Sequence, residues 1–206
     1  MKDYRDRAYS LPRLPRPYYR ADSVVHWTLT IFDRATGWLT ESFHARFREL
    51  LLHTAAREGL LCPAYCLMPD HLHLVWMGLR PDSDQMNGMA FLRTHLEPAL
   101  TPAKFQPQAH DHVLREPERL RDAFRVSIAY DLQNPVLNGL VPRPEDWPFI
   151  GCVVPGYPKL HPLDERFWEV FWKVYTNHRD PRCDEHVLPP FGGRQRLVTS
   201  SPTTAP

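Results

Sequence analysis

Along residues 24–32 apolar and polar positions alternate, with Val25, Trp27, Leu29 and Ile31 on one side and His26, Thr28 and Thr30 on the other. This period of two predicts a half-buried strand. The period then changes. Phe43, Phe47, Leu50, Leu51 and Ala55 recur at helical spacing behind Thr40, a residue suited to cap a helix, and Gly59 is placed to end it. Residues 64–68 and 71–77 read as two further strands joined through Pro69-Asp70 as a hairpin. After a polar loop at 80–88, a short helix is predicted over 89–96 and curtailed by Pro98. Residues 110–114 read as a short fourth strand. Glu116-Pro117 opens a longer helix carrying Leu120, Phe124, Ile128 and Leu132, which Asn134-Pro135 ends. Phe167, Val170, Phe171 and Val174 mark one more amphipathic helix. The order strand, helix, strand, strand, helix, strand, helix predicts an α+β fold: a ferredoxin-like split βαβ with an antiparallel sheet and helices on one face, plus an extra C-terminal helix.

Composition narrows this picture. A chain of 206 residues, 43% hydrophobic and 24% charged, suits one soluble domain, and no apolar run is long enough to cross a bilayer. The charged, proline-bearing start is unlike a secretory signal, so a cytoplasmic protein without a membrane partner is expected. Proline, 22 residues against 9 glycines, gathers in the ends and connectors. The expected organisation is a basic proline-rich arm at 1–22, a catalytic domain at 23–157, an accessory helix at 158–178 and a disordered tail at 179–206. Cys62, Cys66, Cys152 and Cys183 form no Cys-x-x-Cys pair and read as reduced thiols. The first twenty residues hold six basic and two acidic side chains, which leaves −3 on the rest of a +1 chain. Composition alone therefore does not nominate nucleic acid, whose phosphates call for a basic surplus.

Two small constellations carry candidate chemistry. His71 and His73 flank Leu72 on a predicted strand, so both imidazoles point to one side, a geometry in which two nitrogens can share a metal ion. The plainer alternative is a pair of histidines on a half-exposed sheet face. Tyr130 and Asn134 lie one helical turn apart on one face. A tyrosine needs a metal or polar neighbours to act as a nucleophile at neutral pH, and tyrosines on helices commonly just pack.

Taken together, Tyr65-Cys66-Leu67-Met68-Pro69-Asp70-His71-Leu72-His73-Leu74, then Tyr130-Asp131-Leu132-Gln133-Asn134-Pro135-Val136, Gly139-Leu140-Val141 and Asp146-Trp147-Pro148-Phe149 resemble the single-tyrosine HUH transposases, and among them the REP-associated tyrosine transposases. The resemblance spans about 24–149 and includes His110-Asp111-His112. It implies that His71 and His73 bind a divalent metal, Mg²⁺ or Mn²⁺, with Asn134 as a third ligand. It also implies that Tyr130 attacks a phosphodiester of hairpin-bearing single-stranded DNA, becomes joined to the 5′ phosphate and releases a 3′ hydroxyl.

Around this set, His110 and His112 are candidates to orient a ligand imidazole, whereas Asp70 reads as a turn residue. Arg13, Arg16 and Arg20 of the arm and Arg119 on the late helix are candidate DNA contacts. Residues 80–108 carry only Arg80, Arg93 and Lys104, fewer cations than the resemblance leads one to expect. A single chain is the expected working unit, with Trp168, Phe171 and Trp172 as the candidate face of a dimer. The alternatives are a catalytically silent, domesticated hairpin DNA- or RNA-binding protein and an unrelated His-x-His metal hydrolase that activates water.

Overall fold

The computed structural model describes residues 12–185. After a 3-10 turn at Arg16–Tyr19, the elements are β1 (Val24–Thr30), α1 (Glu41–Glu58), β2 (Leu60–Met68), β3 (His71–Gly78), α2 (Gln85–Leu96) and β4 (His110–Val113). There follow α3 (Glu116–Arg119), α4 (Arg121–Leu132), α5 (Asn134–Leu137), β5 (Ile150–Val153) and α6 (Phe167–His178). The five strands form one sheet in the order β4-β1-β3-β2-β5, with every pair antiparallel. The first four strands are those the hydrophobic pattern predicts.

Local chemistry sets most boundaries. Thr40 Oγ1 accepts from the amide of Phe43 at 3.1 Å, and Gly59 closes α1 at a left-handed φ of 62°. Helix α2 starts four residues before the predicted position because the Asp84 carboxylate accepts from the amides of Met86 and Asn87. The helix expected from Glu116 onward is broken at Leu120, whose φ of −56° and ψ of 136° are extended. The pattern gave no sign of β5. It is four residues long, and Gly151 is required there because a Cβ would collide with the Tyr65 hydroxyl.

The two faces of the sheet bury different sets. Val25, Trp27, Leu29, Leu72, Leu74 and Trp76 pack against α1 and α2, while Val24, Cys66, Met68, Val75 and Met77 lie under α4 and α6. The α+β reading therefore stands, but helices cover both faces instead of one. The reason is visible in β2, which is buried at all nine positions and needs a cover on each side.

Both ends of the described chain are packed. Where a basic arm is expected, Tyr18 and Tyr19 are buried, and the ring of Tyr19 lies 5.7 Å from that of Trp27. Residues 1–11 of that arm lie outside the described residues. The expected tail starts as a packed segment: Arg179 pairs with Asp22 and Asp184 at 2.7 Å each, and Cys183 is buried in a 3-10 turn, Pro181–Glu185. Residues 186–206 lie outside the described residues. No helix among those described is long and apolar enough to cross a membrane.

The N-terminal strap meets the sheet at Gly78, where a Cβ would fall on the carbonyl oxygen of Ala21. Gly78→Ala is expected to lower the free energy of unfolding by about 2 kcal/mol or more, since neither backbone can move aside cheaply. Urea unfolding of the variant checks this.

Candidate metal and tyrosine site

Strand β3 carries the site because its two faces do different work. Leu72, Leu74 and Trp76 are buried under α1 and α2, which turns His71 and His73 to the opposite face. The register sets Thr30 opposite His71 and Thr28 opposite His73, while Cys66 of β2 faces His73 from the other side. The two imidazoles then meet edge to face, with Nε2 to Nε2 at 2.9 Å.

His71 Nδ1 lies 2.6 Å from Asp70 Oδ1, so in the neutral ring this nitrogen donates to the carboxylate and Nε2 is the acceptor. His73 Nδ1 lies 3.1 Å from Thr28 Oγ1, a contact that allows the second ring the same tautomer. In that tautomer the two facing Nε2 atoms are both acceptors, and a proton or a cation between them satisfies both. Their spacing matches the edge of about 3.0 Å between adjacent ligands of an octahedral ion with bonds of about 2.1 Å. The donor set thus fits a divalent ion, and its nitrogens favour Mn²⁺ over Mg²⁺.

Asp70 is more than a turn residue. Its second oxygen accepts from Arg34 Nη1 at 3.0 Å, so the carboxylate is clamped between guanidinium and imidazole. Burial alone would raise its pKa, but the His71 and Arg34 contacts outweigh this and hold it below the ordinary 3.8. Arg34 reaches this position from a backbone in which Asp33 and Arg34 both take positive φ, 54° and 55°. That conformation costs about 1–2 kcal/mol per residue.

Helix α4 approaches the same face. Phe124, Ile128 and Leu132 anchor it, which leaves Tyr130 64% exposed near its C-terminal end. Asn134 donates through Nδ2 to the carbonyls of Asp131 at 3.0 Å and Tyr130 at 3.5 Å. Both bonds use the amide nitrogen, so the amide oxygen is the acceptor they leave over.

The other candidates fall elsewhere. His110 is exposed on β4 and His112 bonds Glu118 at 2.8 Å, while the side chains that contact the Nδ1 atoms of His71 and His73 are Asp70 and Thr28. Arg13 lies against Trp27, donates to the carbonyl of Ala109 at 2.7 Å and pairs with Asp111 at 3.3 Å. Arg16 and Arg20 pair with Asp84 at 2.9 and 3.5 Å, and Arg119 with Asp22 at 3.1 Å. All four cations thus have acidic partners within the fold.

His26 and Asp131 join the site without having been singled out. His26 Nε2 is 3.4 Å from Asp131 Oδ2, and the His26 ring is 5.3 Å from that of His73. Burial raises the pKa of Asp131, with His26 opposing, and pushes that of His73 well below 6.5, helped by His26 and His71. The signal for His26 was its place on the polar side of β1. For Asp131 it was a carboxylate three residues after Ile128, inside the apolar stripe of α4.

No family model matches the chain. Over 150 residues it is 24% identical to a protein of Haemophilus influenzae named "Putative REP-associated tyrosine transposase", a match covering 64% of this chain and 82% of that one. Among solved structures, a REP-associated tyrosine transposase bound to a REP hairpin matches with a TM-score of 0.57 and 22% identity, over 68% of this chain and 82% of the other. The likeness read from the motifs is therefore also a likeness of sequence across most of the domain, and of fold.

Because Asp70 fixes the His71 ring, Asp70→Asn is expected to weaken Mn²⁺ binding about 10- to 100-fold with the fold retained, as calorimetric titration would read. A second expectation concerns acid. Burial, aided by Arg48, pushes His44 down to about 4, so its imidazole stays neutral in the fold and takes up a proton on unfolding. The unfolded chain then binds more protons below pH 6.5, and stability falls as pH drops from about 6.5 to about 4. His44→Gln is expected to flatten that fall in urea midpoints measured across the window.

Proposed function

We propose that this chain, similar in sequence and fold to REP-associated tyrosine transposases, is a metal-dependent enzyme that cleaves and rejoins single-stranded DNA at hairpins. The observation that carries this reading is the pair of Nε2 atoms 2.9 Å apart on a sheet face covered by the helix that bears an exposed Tyr130. A nucleophile that must reach a polymer has to stand at the surface, and Tyr130 does.

In this reading His71 and His73, oriented by Asp70 and Thr28, hold a Mg²⁺ or Mn²⁺ ion together with the amide oxygen of Asn134. Once bound, the ion would polarise a phosphoryl oxygen and offset the charge that develops in the transition state. Tyr130 Oη gives up its proton and forms a bond to phosphorus as the bond from phosphorus to the 3′ oxygen breaks. The leaving oxygen takes a proton, and the 5′ phosphate stays on the tyrosine as a diester. Because the phosphotyrosine conserves the bond, a 3′ hydroxyl can attack it and restore a strand without a nucleotide cofactor.

The partner is DNA with a hairpin. With Arg13, Arg16, Arg20 and Arg119 neutralised by acids within the fold, phosphate contacts contribute less here than in a strongly basic protein. Base stacking on exposed side chains takes a larger share. A weak dependence of binding on salt is the corresponding expectation.

The test uses purified protein, Mn²⁺ and labelled single-stranded hairpins from DNA flanking its own gene. A band that survives denaturing electrophoresis is expected for the parent and is expected to be absent for Tyr130→Phe, while both bind the hairpin in a native gel. Cleavage with no protein-bound strand would favour water attack. Hairpin binding without cleavage by the parent would favour a silent binding protein.

A further inference from the structure

Helices α4 and α6 pack side by side through aromatic rings, with Phe124 5.8 Å from both Trp168 and Trp172. Along that contact runs an open trough made of two adjoining hollows of about 330 and 540 Å³, which share Asp122, Arg125 and Trp168. Trp168 and Trp172 are half-buried in it, one helical turn apart and nearly parallel, their ring centres 6.0 Å apart at an angle of 26°. Over each lies an exposed guanidinium, Arg125 5.8 Å from the ring centre of Trp168 and Arg121 5.1 Å from that of Trp172. Neither arginine, nor Lys173 beside them, forms an ion pair among the described residues. The acids of the trough are Asp122 and Glu169, and Glu169 is already held by Arg166 at 3.2 Å. These three cations thus differ from Arg13, Arg16, Arg20 and Arg119, which acids of the fold neutralise.

We infer that the trough between α4 and α6 is a seat for single-stranded DNA that leads the strand to Tyr130. The inference rests on the reading of the chain as an enzyme of single-stranded DNA and adds to it a site that uses α6, a helix beyond the stretch carrying the family resemblance. Every base has a flat face that stacks on an indole or a guanidinium, so such a site accepts any sequence, whereas a duplex hides those faces in its own stack. An arginine laid on an indole is held flat on one side, which leaves its other side to a base and its N–H groups to a phosphate, and Lys173 adds a point charge. Helical geometry gives the direction. At about 100° per residue, Arg121 and Arg125 line the flank of α4 towards α6, Val126 and Ala129 its outer face, and Tyr130 the flank beyond. A strand leaving the trough passes over exposed Val126 and meets Tyr130 one turn on. With three free cations the seat meets about three phosphates at most, which agrees with the weak salt dependence expected above.

The test is fluorescence anisotropy of a labelled oligothymidylate titrated with the full chain carrying Tyr130→Phe, so that no strand is cut. In this background, adding Arg121→Gln and Arg125→Gln together is expected to weaken binding about tenfold and to change the slope of log K against log salt from about −2 to about −0.7, as the phosphates met fall from three to one. Arg121→Lys with Arg125→Lys keeps the charge without the plane, so the slope is expected to stay near about −2 while the affinity drops. A strand of the same length with abasic sites for bases is expected to bind about fivefold more weakly. Arg46→Gln with Arg48→Gln removes equal charge from exposed positions of α1, on the other face of the sheet, and is expected to bind as the background does. No binding of the oligothymidylate, background-like affinity in the Arg121→Gln, Arg125→Gln protein, or an equal loss in the α1 protein would each overturn the inference. So would a dimer in sedimentation without DNA that Arg121→Gln with Arg125→Gln dissolves, since it would give the trough to a second copy. A chain that binds through the trough but never forms a covalent adduct would sink the cleavage chemistry alone, and one that forms the adduct while the trough variants bind unchanged would sink the trough alone.

Discussion

The register of β3 is the constraint on which the rest depends. Side chains alternate along a strand, so a slip of one residue would exchange Leu72, Leu74 and Trp76 for His71 and His73 on the face under α1 and α2. The hydrophobic core of that face therefore holds the two histidines on the other. Leu72, Leu74 and Trp76 are essentially fully buried, and neighbouring strands β1 and β2 pair with β3 along nearly its whole length. Burying one such side chain is worth about 1.5–3 kcal/mol, so three together oppose a slip far more strongly than the imidazoles could favour it. The precision of the 2.9 Å nitrogen pair is thus inherited from apolar packing on the far side of the sheet.

A second layer of order comes from charge. Asp70, Asp84, Asp22 and Asp111 each receive at least one arginine, and these contacts strap the N-terminal segment, the loop after β1 and the C-terminal turn to the sheet. Several of the arginines that could have met phosphate are thereby engaged within the fold, among them Arg13, Arg16 and Arg119. Between α4 and α6 the arginines lie over half-buried indoles, with Arg121 5.1 Å from the ring centre of Trp172 and Arg125 5.8 Å from that of Trp168.

Much of this was legible in the sequence, for identifiable reasons. Alternation along 24–32 and 71–77, the cap at Thr40 and the glycine at 59 are local signals, and the elements they predict formed where expected. The same locality made the chemical placement of His71 and His73 readable, because two residues on one strand need no knowledge of the fold. What escaped depends on partners distant in sequence. Strand β5 exists only because β2 has a free edge, and its four residues show no alternation. Asp70 looked like a turn residue because Arg34, its second partner, lies 36 positions earlier. His26 and Asp131 are 105 residues apart and meet only when α4 lies on the second face of the sheet, a face the pattern left bare. Arg13, Arg16 and Arg20 looked like a free arm because their acidic partners follow 64 to 98 positions later.

The central proposal is that Tyr130, exposed on the helix packed over the sheet face that carries His71 and His73, forms a covalent bond to DNA. Mass spectrometry of the protease-digested reaction, run with Mn²⁺ and a hairpin substrate, tests it most directly by mapping where the nucleotide sits. The account predicts a 5′-phosphate-linked nucleotide on the peptide carrying Tyr130, with fragmentation placing it on that residue. A nucleotide on any other residue, or cut DNA with every peptide unmodified, would contradict it.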